Sequence, residues 1–196
     1  DEFDNLFSSL FDNHEIHHKI IRALAKVKKG VDRQSLIKAS GLVSGGEVSN
    51  ALKELEEAGF IAKVPFWKKK NRDSVYRLID EYTLFYLQWI EPIKSQINLD
   101  TASDYWLKKM HTPAWNAWSG YSFEAVCLKH INKIKQALGF EAVSSIQSSW
   151  HYNPKEPNAQ GTQIDLIIER ADRTINLCEI KSSTEVYRVS KEYQSK

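Results

Sequence analysis

The first third of the chain carries apolar residues at helical spacing, and this pattern predicts three helices. The first helix covers residues 14–28. The second is a short helix capped by Asp32, because an Asp side chain accepts hydrogen bonds from the first free backbone amides of a helix. The third begins at Ser44 or Gly45 and ends at Gly59, since glycine readily adopts the left-handed conformation that closes many helices.

Two short apolar runs, residues 60–64 and 75–79, follow these helices. A polar, turn-rich loop separates them, so we predict a β-hairpin. Three helices and then a hairpin is the order of a winged helix-turn-helix, and we assign residues 1–80 to such a domain. Cations at the hairpin tip can contact phosphates and an indole ring can stack on a base. The candidate nucleic-acid-binding residues there are Trp67, Lys68, Lys69, Lys70 and Arg72.

The charges of the third helix leave the role of this domain open. Four glutamates on or beside it would repel a phosphate backbone: Glu47, Glu54, Glu56 and Glu57. A cationic hairpin tip is also common as an ordinary solvated loop. Winged helices serve as protein-docking modules as well, so contact with DNA and contact with a protein both remain as interpretations.

Residues 81–119 are rich in Trp and Tyr and show no alternation that would predict strands. We expect two or three helices here, with Pro92 ending one apolar stretch and Pro113 interrupting the next. Large aromatic side chains at helical spacing are typical of a core. We therefore predict a packed helical connector and assign no function to it.

A helix, three strands and a hairpin turn are predicted for residues 120–196, which we assign to a C-terminal α/β domain. The helix begins with a Ser122 cap in the segment 120–124 and ends at Gly139. The strands cover residues 143–150, 163–170 and 175–181, and a three-residue turn joins the last two. The fold class of the whole chain is therefore α+β.

Charged residues interrupt the apolar strands of this last segment. Asp165 stands between Ile164 and Leu166, and Glu179 and Lys181 are two positions apart, so their side chains share one face of a strand. Two neighbouring carboxylates repel each other, and a divalent cation such as Mg²⁺ or Mn²⁺ removes the repulsion. The backbone carbonyl of Ile180 is a further oxygen ligand. An ion pair between Glu179 and Lys181 is the purely structural alternative.

The overall composition excludes several classes of protein. The formal net charge is +2 and the pI is about 8.4, so a cationic surface for nucleic acid has to be local. No apolar run approaches the roughly 20 residues of a membrane span, and no secretory signal or phosphate-binding loop is present. Cys127 and Cys178 fit two free, buried thiols in a reducing cytoplasm. The abrupt start suggests a piece of a longer protein.

The string GTQIDLIIERADRTINLCEIKSS, together with an upstream helix bearing Glu124, resembles the PD-(D/E)XK nuclease superfamily. More narrowly, the chain resembles the C-terminal part of a prokaryotic family in which an AAA-type P-loop ATPase domain precedes a winged helix and a nuclease-like domain. The superfamily's proline is replaced by Ile164. The resemblance implies an upstream ATPase domain as a partner in the same polypeptide, with ATP bound only there.

The resemblance also implies roles for individual residues. Asp165 and Glu179 would be metal ligands, Lys181 the catalytic lysine and Glu124 the helical acid that completes the metal site. Gln163 shares the face of Asp165 and would contact substrate or water. If these roles are right, the side chains must converge on one pocket.

The function that follows is a metal-dependent hydrolase that cleaves phosphodiester bonds in DNA. One alternative is a non-catalytic module that binds nucleic acid or protein and regulates the upstream ATPase. Another is a platform for interaction with the ATPase or for self-association into a homo-oligomer. Metal binding separates the first interpretation from the other two.

Overall fold

The computed structural model describes residues 2–69, 74–100, 104–152 and 161–188 of the 196-residue chain. Within these residues the fold is α+β, with helices and two small antiparallel sheets of three strands each. No helix in this part of the chain has the length and apolar character required to cross a bilayer. The first four helices are α1 (Glu2–Leu10), α2 (His14–Ala25), α3 (Arg33–Ser40) and α4 (Gly46–Glu57).

Helices α2, α3 and α4 confirm the three helices that the apolar spacing predicts. Asp32 caps α3, and its carboxylate accepts hydrogen bonds from the amides of Gln34 (2.9 Å) and Ser35 (3.0 Å). Gly59 follows α4 with a φ of 77°, as expected for a glycine that closes a helix. Helix α4 buries one apolar face, formed by Val48, Ala51, Leu52 and Leu55.

Helix α1 was not predicted, and it completes the N-terminal core. Phe3 and Phe7 are fully buried, and the ring of Phe3 stacks on Tyr86 at a centroid distance of 4.6 Å. Tyr86 belongs to the aromatic connector, so α1 is held by residues that lie far along the chain. With only nine residues, α1 depends on this packing, because an isolated helix of that length is unstable in water.

The first sheet contains β1 (Val31–Asp32), β2 (Ile61–Pro65) and β3 (Ser74–Leu78) in the order β1-β3-β2. Strands β2 and β3 form the predicted antiparallel hairpin, in which Ile61 pairs with Leu78. The sheet packs on the helices through buried residues such as Ile61 and Tyr76. The three predicted helices precede the predicted hairpin, and α1 and the short strand β1 are additions to the expected order.

The connector is helical, as predicted. It contains α5 (Glu81–Phe85), a π-helical turn (Tyr86–Ile90), a short 3₁₀ turn (Glu91–Ile93), α6 (Lys94–Asp100) and α7 (Tyr105–Lys109). Trp89 is 4% exposed and lies within 6 Å, ring centroid to ring centroid, of three other indoles: Trp106, Trp115 and Trp118. The other three indoles are half-buried, so the connector packs its rings around Trp89, in agreement with the predicted packed connector.

Two more helices follow, α8 (Pro113–Lys129) and α9 (Ile131–Ala137). The expected helix start at Ser122 is wrong, because α8 begins at Pro113 and runs through the predicted domain boundary at residues 119–120. Proline is favoured in the first turn of a helix, where no amide hydrogen is needed, and Thr112 provides the cap. Gly139 ends the helical segment with a φ of 71°.

The second sheet contains β4 (Ser145–Tyr152), β5 (Thr162–Arg170) and β6 (Ile175–Cys178), with β5 in the centre. Both pairs are antiparallel, and the β5–β6 hairpin is the predicted one. Leu166 and Ile168 of β5 face a small apolar core around Phe140, which closes the sheet against α8 and α9. Strand β6 is shorter than predicted and ends at Cys178 instead of at residue 181.

The two sheets touch at the tip of the first hairpin. Phe66 forms an isolated parallel bridge with Ser149 of β4, and the amide of Trp67 donates to the carbonyl of Ser149 at 2.9 Å. The hairpin contact brings the N-terminal residues close to β4 and β5.

The free thiols of Cys127 and Cys178 are only half-buried, and burial raises the pKa of both.

Candidate active site

Asp165 is the most deeply placed of the predicted site residues. It lies on the central strand β5, on the face opposite Leu166, and it is only 6% exposed. One carboxylate oxygen accepts a hydrogen bond from Nε2 of Gln163 at 2.8 Å. The other accepts one from the backbone amide of Ile180 at 3.0 Å.

The recorded hydrogen-bond partners of Asp165 are neutral groups. Both recorded hydrogen-bond donors are neutral amides, and among the described residues no Lys, Arg or His forms an ion pair with this carboxylate. An ionised carboxylate removed from water is costly unless a cation or several donors compensate it. A cation bound beside Asp165 would compensate this charge.

Glu179 and Lys181 lie beside Asp165 but beyond the end of β6. Leu166 pairs with Cys178, so the next residue, Glu179, comes alongside Asp165 in the same register. The strand stops here because the Ile180 amide donates to the Asp165 side chain instead of to a backbone carbonyl. Lys181 forms an ion pair with Glu179, which is the structural alternative that the sequence leaves open.

Glu124 does not join the other three residues. It lies on α8, and its carboxylate is bound by Nη2 of Arg77 from β3 at 2.5 Å. Both side chains of this ion pair are largely buried, at 7% exposure for Arg77 and 17% for Glu124. Of the four residues expected to converge on one pocket, Asp165 alone is among the residues that line the neighbouring cavity, and Glu124 is instead bound by Arg77 of the N-terminal hairpin.

No ready-made metal cage is present among the described residues. They contain no group of three or more His, Cys, Asp or Glu side chains arranged to hold a metal ion. Asp165 instead accepts a hydrogen bond from the backbone of Ile180, and the residues on either side of Ile180, Glu179 and Lys181, form an ion pair with each other. Such a set offers oxygen ligands from two side chains and one carbonyl.

Residues of the N-terminal half form one wall of the site. A cavity of about 270 Å³ is lined by Asp165 and Gln163 on one side and by Lys29, Phe66 and Arg77 on the other. Sequence reasoning missed Arg77, although it interrupts the apolar run 75–79 in the way Asp165 interrupts β5. No sequence signal distinguishes Lys29 from the other lysines around it.

The tip of the hairpin contacts the chain's own second sheet. Nε1 of Trp67 donates to Oε2 of Glu169 at 3.1 Å. The ammonium of Lys68 lies 4.4 Å from the centre of the Trp67 ring, and that of Lys69 lies 5.4 Å from the centre of the Phe66 ring. Trp67 is thus engaged in an internal contact, and the cations Lys68 and Lys69 lie against aromatic rings. The other two predicted nucleic-acid contacts, Lys70 and Arg72, lie outside the described residues.

A family model matches residues 86–193, more than half of the chain. The chain belongs to the DUF234 family. This family is described as archaeal and bacterial proteins of unknown function. Comparisons with the curated proteins and with the solved structures found no match.

The DUF234 match has a bearing on how the site is built. It begins within the connector and includes Glu124, Asp165, Glu179 and Lys181. The hairpin residue Arg77 and the loop residue Lys29 lie before it. The DUF234 segment therefore contains the acids, and the preceding residues add the opposite wall of the cavity.

Proposed function

We propose that this chain is the nuclease-like part of a metal-dependent phosphodiesterase acting on DNA. The observation that carries the proposal is Asp165, a carboxylate at 6% exposure whose recorded partners are neutral amides. Glu179 is adjacent in register, so a second carboxylate is available to the same ion. We propose further that residues 120–196 form a PD-(D/E)XK-type domain.

The residues present fit a hard divalent cation such as Mg²⁺ or Mn²⁺. Asp165, Glu179 and the carbonyl of Ile180 supply oxygen ligands, and Mg²⁺ retains several waters at such sites. A bound ion of this kind would polarise the phosphate and activate a water molecule. Glu179 would exchange its contact with Lys181 for the ion, and the ammonium would stabilise negative charge on the phosphate.

Glu124 has a different role in this proposal from the one implied by the resemblance. Its partner Arg77 lines the cavity of Asp165, and the two side chains form a largely buried ion pair. Glu124 therefore positions Arg77 and joins α8 to the hairpin, instead of binding the ion directly.

We propose that residues 1–80 form a winged helix whose main role is to contact protein surfaces instead of DNA. The exposed side of α4 bears Glu47, Glu56 and Glu57 against a single lysine, Lys53, and Glu54 beside them is bound by the buried His17. The hairpin tip is bound to Ser149 and Glu169 of the chain itself. These contacts support a wing that orders the second sheet. DNA binding by the wing is the alternative.

We also propose that the chain works beside an ATPase domain in the same polypeptide. The resemblance to the C-terminal part of an AAA-type ATPase family suggests a cytoplasmic protein with ATP bound in an upstream domain. In that arrangement, cleavage at the site would be coupled to the upstream ATPase. Self-association belongs to the same set of proposals.

Titration with Mn²⁺ tests the metal site directly. We expect the chain to bind Mn²⁺ and the Glu179→Gln variant to bind at least tenfold more weakly. Glu141→Gln, which removes an exposed carboxylate from a turn outside the site, is the matched control and should bind as the wild type does. Absence of Mn²⁺ binding by the wild type would overturn the metal site.

A cleavage assay then separates catalysis from binding. Lys181→Met should retain Mn²⁺ and lose cleavage of DNA, because the lysine acts on the phosphate and not on the ion. A second candidate function, a non-catalytic binding module, is favoured by the Glu179–Lys181 ion pair. Wild-type protein that binds DNA and shows no cleavage with Mn²⁺ would support that second function.

A further inference from the structure

The cavity beside Asp165 has the size and shape of a small binding site. Its volume is about 270 Å³, slightly below the roughly 300–1,000 Å³ of typical ligand pockets. One wall comes from the N-terminal half (Lys29, Gly30, Phe66, Val75, Arg77), and the other comes from β4 and β5 (Ser149, Trp150, His151, Gln163, Asp165). A single nucleotide is of the right size to enter it, and a duplex is too wide.

Two cationic side chains line the cavity beside Asp165. Arg77 already pairs with Glu124, so Lys29 is the lining cation that can serve an incoming anion, and Asp165 is the one carboxylate among the lining residues that the structure describes. Arg77 is oriented by its bond to Glu124. Lys29 is exposed, so its ammonium can bind a phosphate group that approaches the cavity from solvent.

Gln163 links the lysine to the candidate metal ligand. Nζ of Lys29 donates to Oε1 of Gln163 at 3.0 Å, and Nε2 of Gln163 donates to Oδ1 of Asp165 at 2.8 Å. This chain of contacts fixes which way the amide of Gln163 points. An ammonium has three donors and Gln163 takes one, so Lys29 can bind a phosphate without leaving Gln163.

Aromatic rings form the remaining part of the wall. Phe66 and Trp150 line the cavity, and the imidazole of His151 meets the Phe66 ring edge-on at a centroid distance of 4.6 Å. Aromatic faces bind unpaired bases by stacking, with little preference for sequence. Cations, aromatic rings and a nucleotide-sized volume thus occur together beside Asp165.

We propose that this cavity receives one unpaired nucleotide of a nucleic-acid strand, with a phosphate on Lys29 and the base against Phe66 and Trp150. The proposal rests on the proposed function, since it places the strand next to Asp165. It adds the substrate class: a strand that is single, frayed or flipped out at the site. Lys29 and Phe66 are then binding residues supplied by the N-terminal half.

Binding of a short oligothymidylate in EDTA tests the cavity without any metal. We expect quenching of Trp fluorescence that is lost in Trp150→Phe. Lys29→Gln should weaken binding about ten- to hundredfold and lower the salt slope by about 0.7, the share of one phosphate contact. Lys38→Gln, which removes a lysine of α3 that does not line the cavity, should bind as the wild type does.

The competing substrates are a blunt duplex of the same sequence and an oligouridylate. The duplex should bind more weakly than the single strand, and Phe66→Leu should remove that difference. Equal binding of the oligouridylate identifies RNA as an equally acceptable source of the nucleotide. Because Lys29 is exposed, Lys29→Gln keeps the test valid even if Phe66→Leu does not fold.

The failure of this inference is distinguishable from that of the proposed function. Equal losses in Lys29→Gln and Lys38→Gln, or no preference for single strands, would overturn the nucleotide cavity and leave Mn²⁺ binding untouched. Single-strand binding through Lys29 in a protein that binds no Mn²⁺ would instead uphold the cavity and remove the metal site.

Discussion

Arg77 and Glu124 form an ion pair of 2.5 Å between strand β3 and helix α8, 47 residues apart in sequence. Both side chains are largely buried, so the pair binds the N-terminal hairpin to the helix that precedes the second sheet. This contact occupies the helical acid that the sequence assigns to the metal. It also holds a guanidinium in the wall of the cavity beside Asp165.

Loss of Glu124 should strongly destabilise the protein. Glu124→Ala leaves the guanidinium of Arg77 buried without its partner, which costs about 3–5 kcal/mol in comparable buried pairs. Urea unfolding measures the change in the free energy of unfolding. Glu81→Ala, which removes the more exposed Glu81–Lys129 pair, is the control and should cost about 1 kcal/mol or less.

The same pair offers a rescue experiment. Replacing both partners with apolar residues, Arg77→Met with Glu124→Leu, should restore most of the lost stability, because no buried charge remains. Equal costs for Glu124→Ala and Glu81→Ala would show that the Arg77–Glu124 contact does not hold the two halves together.

Local signals in the sequence predicted most of the secondary structure. The Asp32 cap, the left-handed Gly59 and the β5–β6 hairpin each depend on a few neighbouring residues, and the structure confirms all three. Helix α8 begins earlier than expected, because Pro113 does not interrupt a helix but occupies its first turn, to which proline is well suited.

The arrangement of the site could be predicted only in part. Alternation along the strands placed Asp165 and Glu179 at one edge, since that depends on local register. The end of β6 at Cys178 depends on a hydrogen bond from Ile180 to a side chain on another strand, and the partner of Glu124 comes from a distant hairpin. Contacts of this kind depend on tertiary packing, which a single sequence does not reveal.

Trp67 should hold the hairpin tip on the second sheet. Trp67→Phe removes the indole donor to Glu169 and, with a loss of about 1 kcal/mol, should speed hydrogen exchange of the residue 67 amide about fivefold. That amide donates to Ser149, so its exchange reports directly on docking. Lys68→Ala keeps the indole bond and should leave the exchange rate unchanged; a similar acceleration in both variants would contradict the role of Trp67.

Asp32 should make stability depend on acid pH. Hydrogen bonds from Ser35, and then from the amide of Gln34, lower the pKa of Asp32 below its ordinary 3.8. Its contribution is therefore fully present above pH 3.8 and is lost as the pH falls through the lower pKa of the folded state. Wild type and Asp32→Asn should differ more at pH 7 than at pH 2, as measured by urea unfolding.

Asp32→Ala provides the reference for the cap itself. It removes the acceptor altogether and should cost about 1 kcal/mol at pH 7. An unchanged difference between wild type and Asp32→Asn at the two pH values would show that the charge of Asp32 contributes nothing to the cap.

We predict that only glycine fits at position 30, where the backbone lies against the side chain of Arg77. Gly30 has a φ of 85°, and a Cβ there would lie 2.6 Å from Cγ of Arg77 and 3.1 Å from the carbonyl oxygen of Tyr76. Gly30→Ala should therefore cost more than the roughly 1–2 kcal/mol of left-handed strain alone. Gly120→Ala should act in the opposite direction, since nothing lies within 4 Å and alanine favours a helix by about 1 kcal/mol over glycine.

A double-mutant cycle identifies the source of the Gly30→Ala cost. In an Arg77→Ala background the close contact with Cγ is gone, so the second substitution should cost only the left-handed strain and the contact with Tyr76. Thermal unfolding of the four proteins measures the coupling. Strict additivity would mean that Gly30→Ala acts through the backbone alone and leaves Arg77, and with it the wall of the cavity, in place.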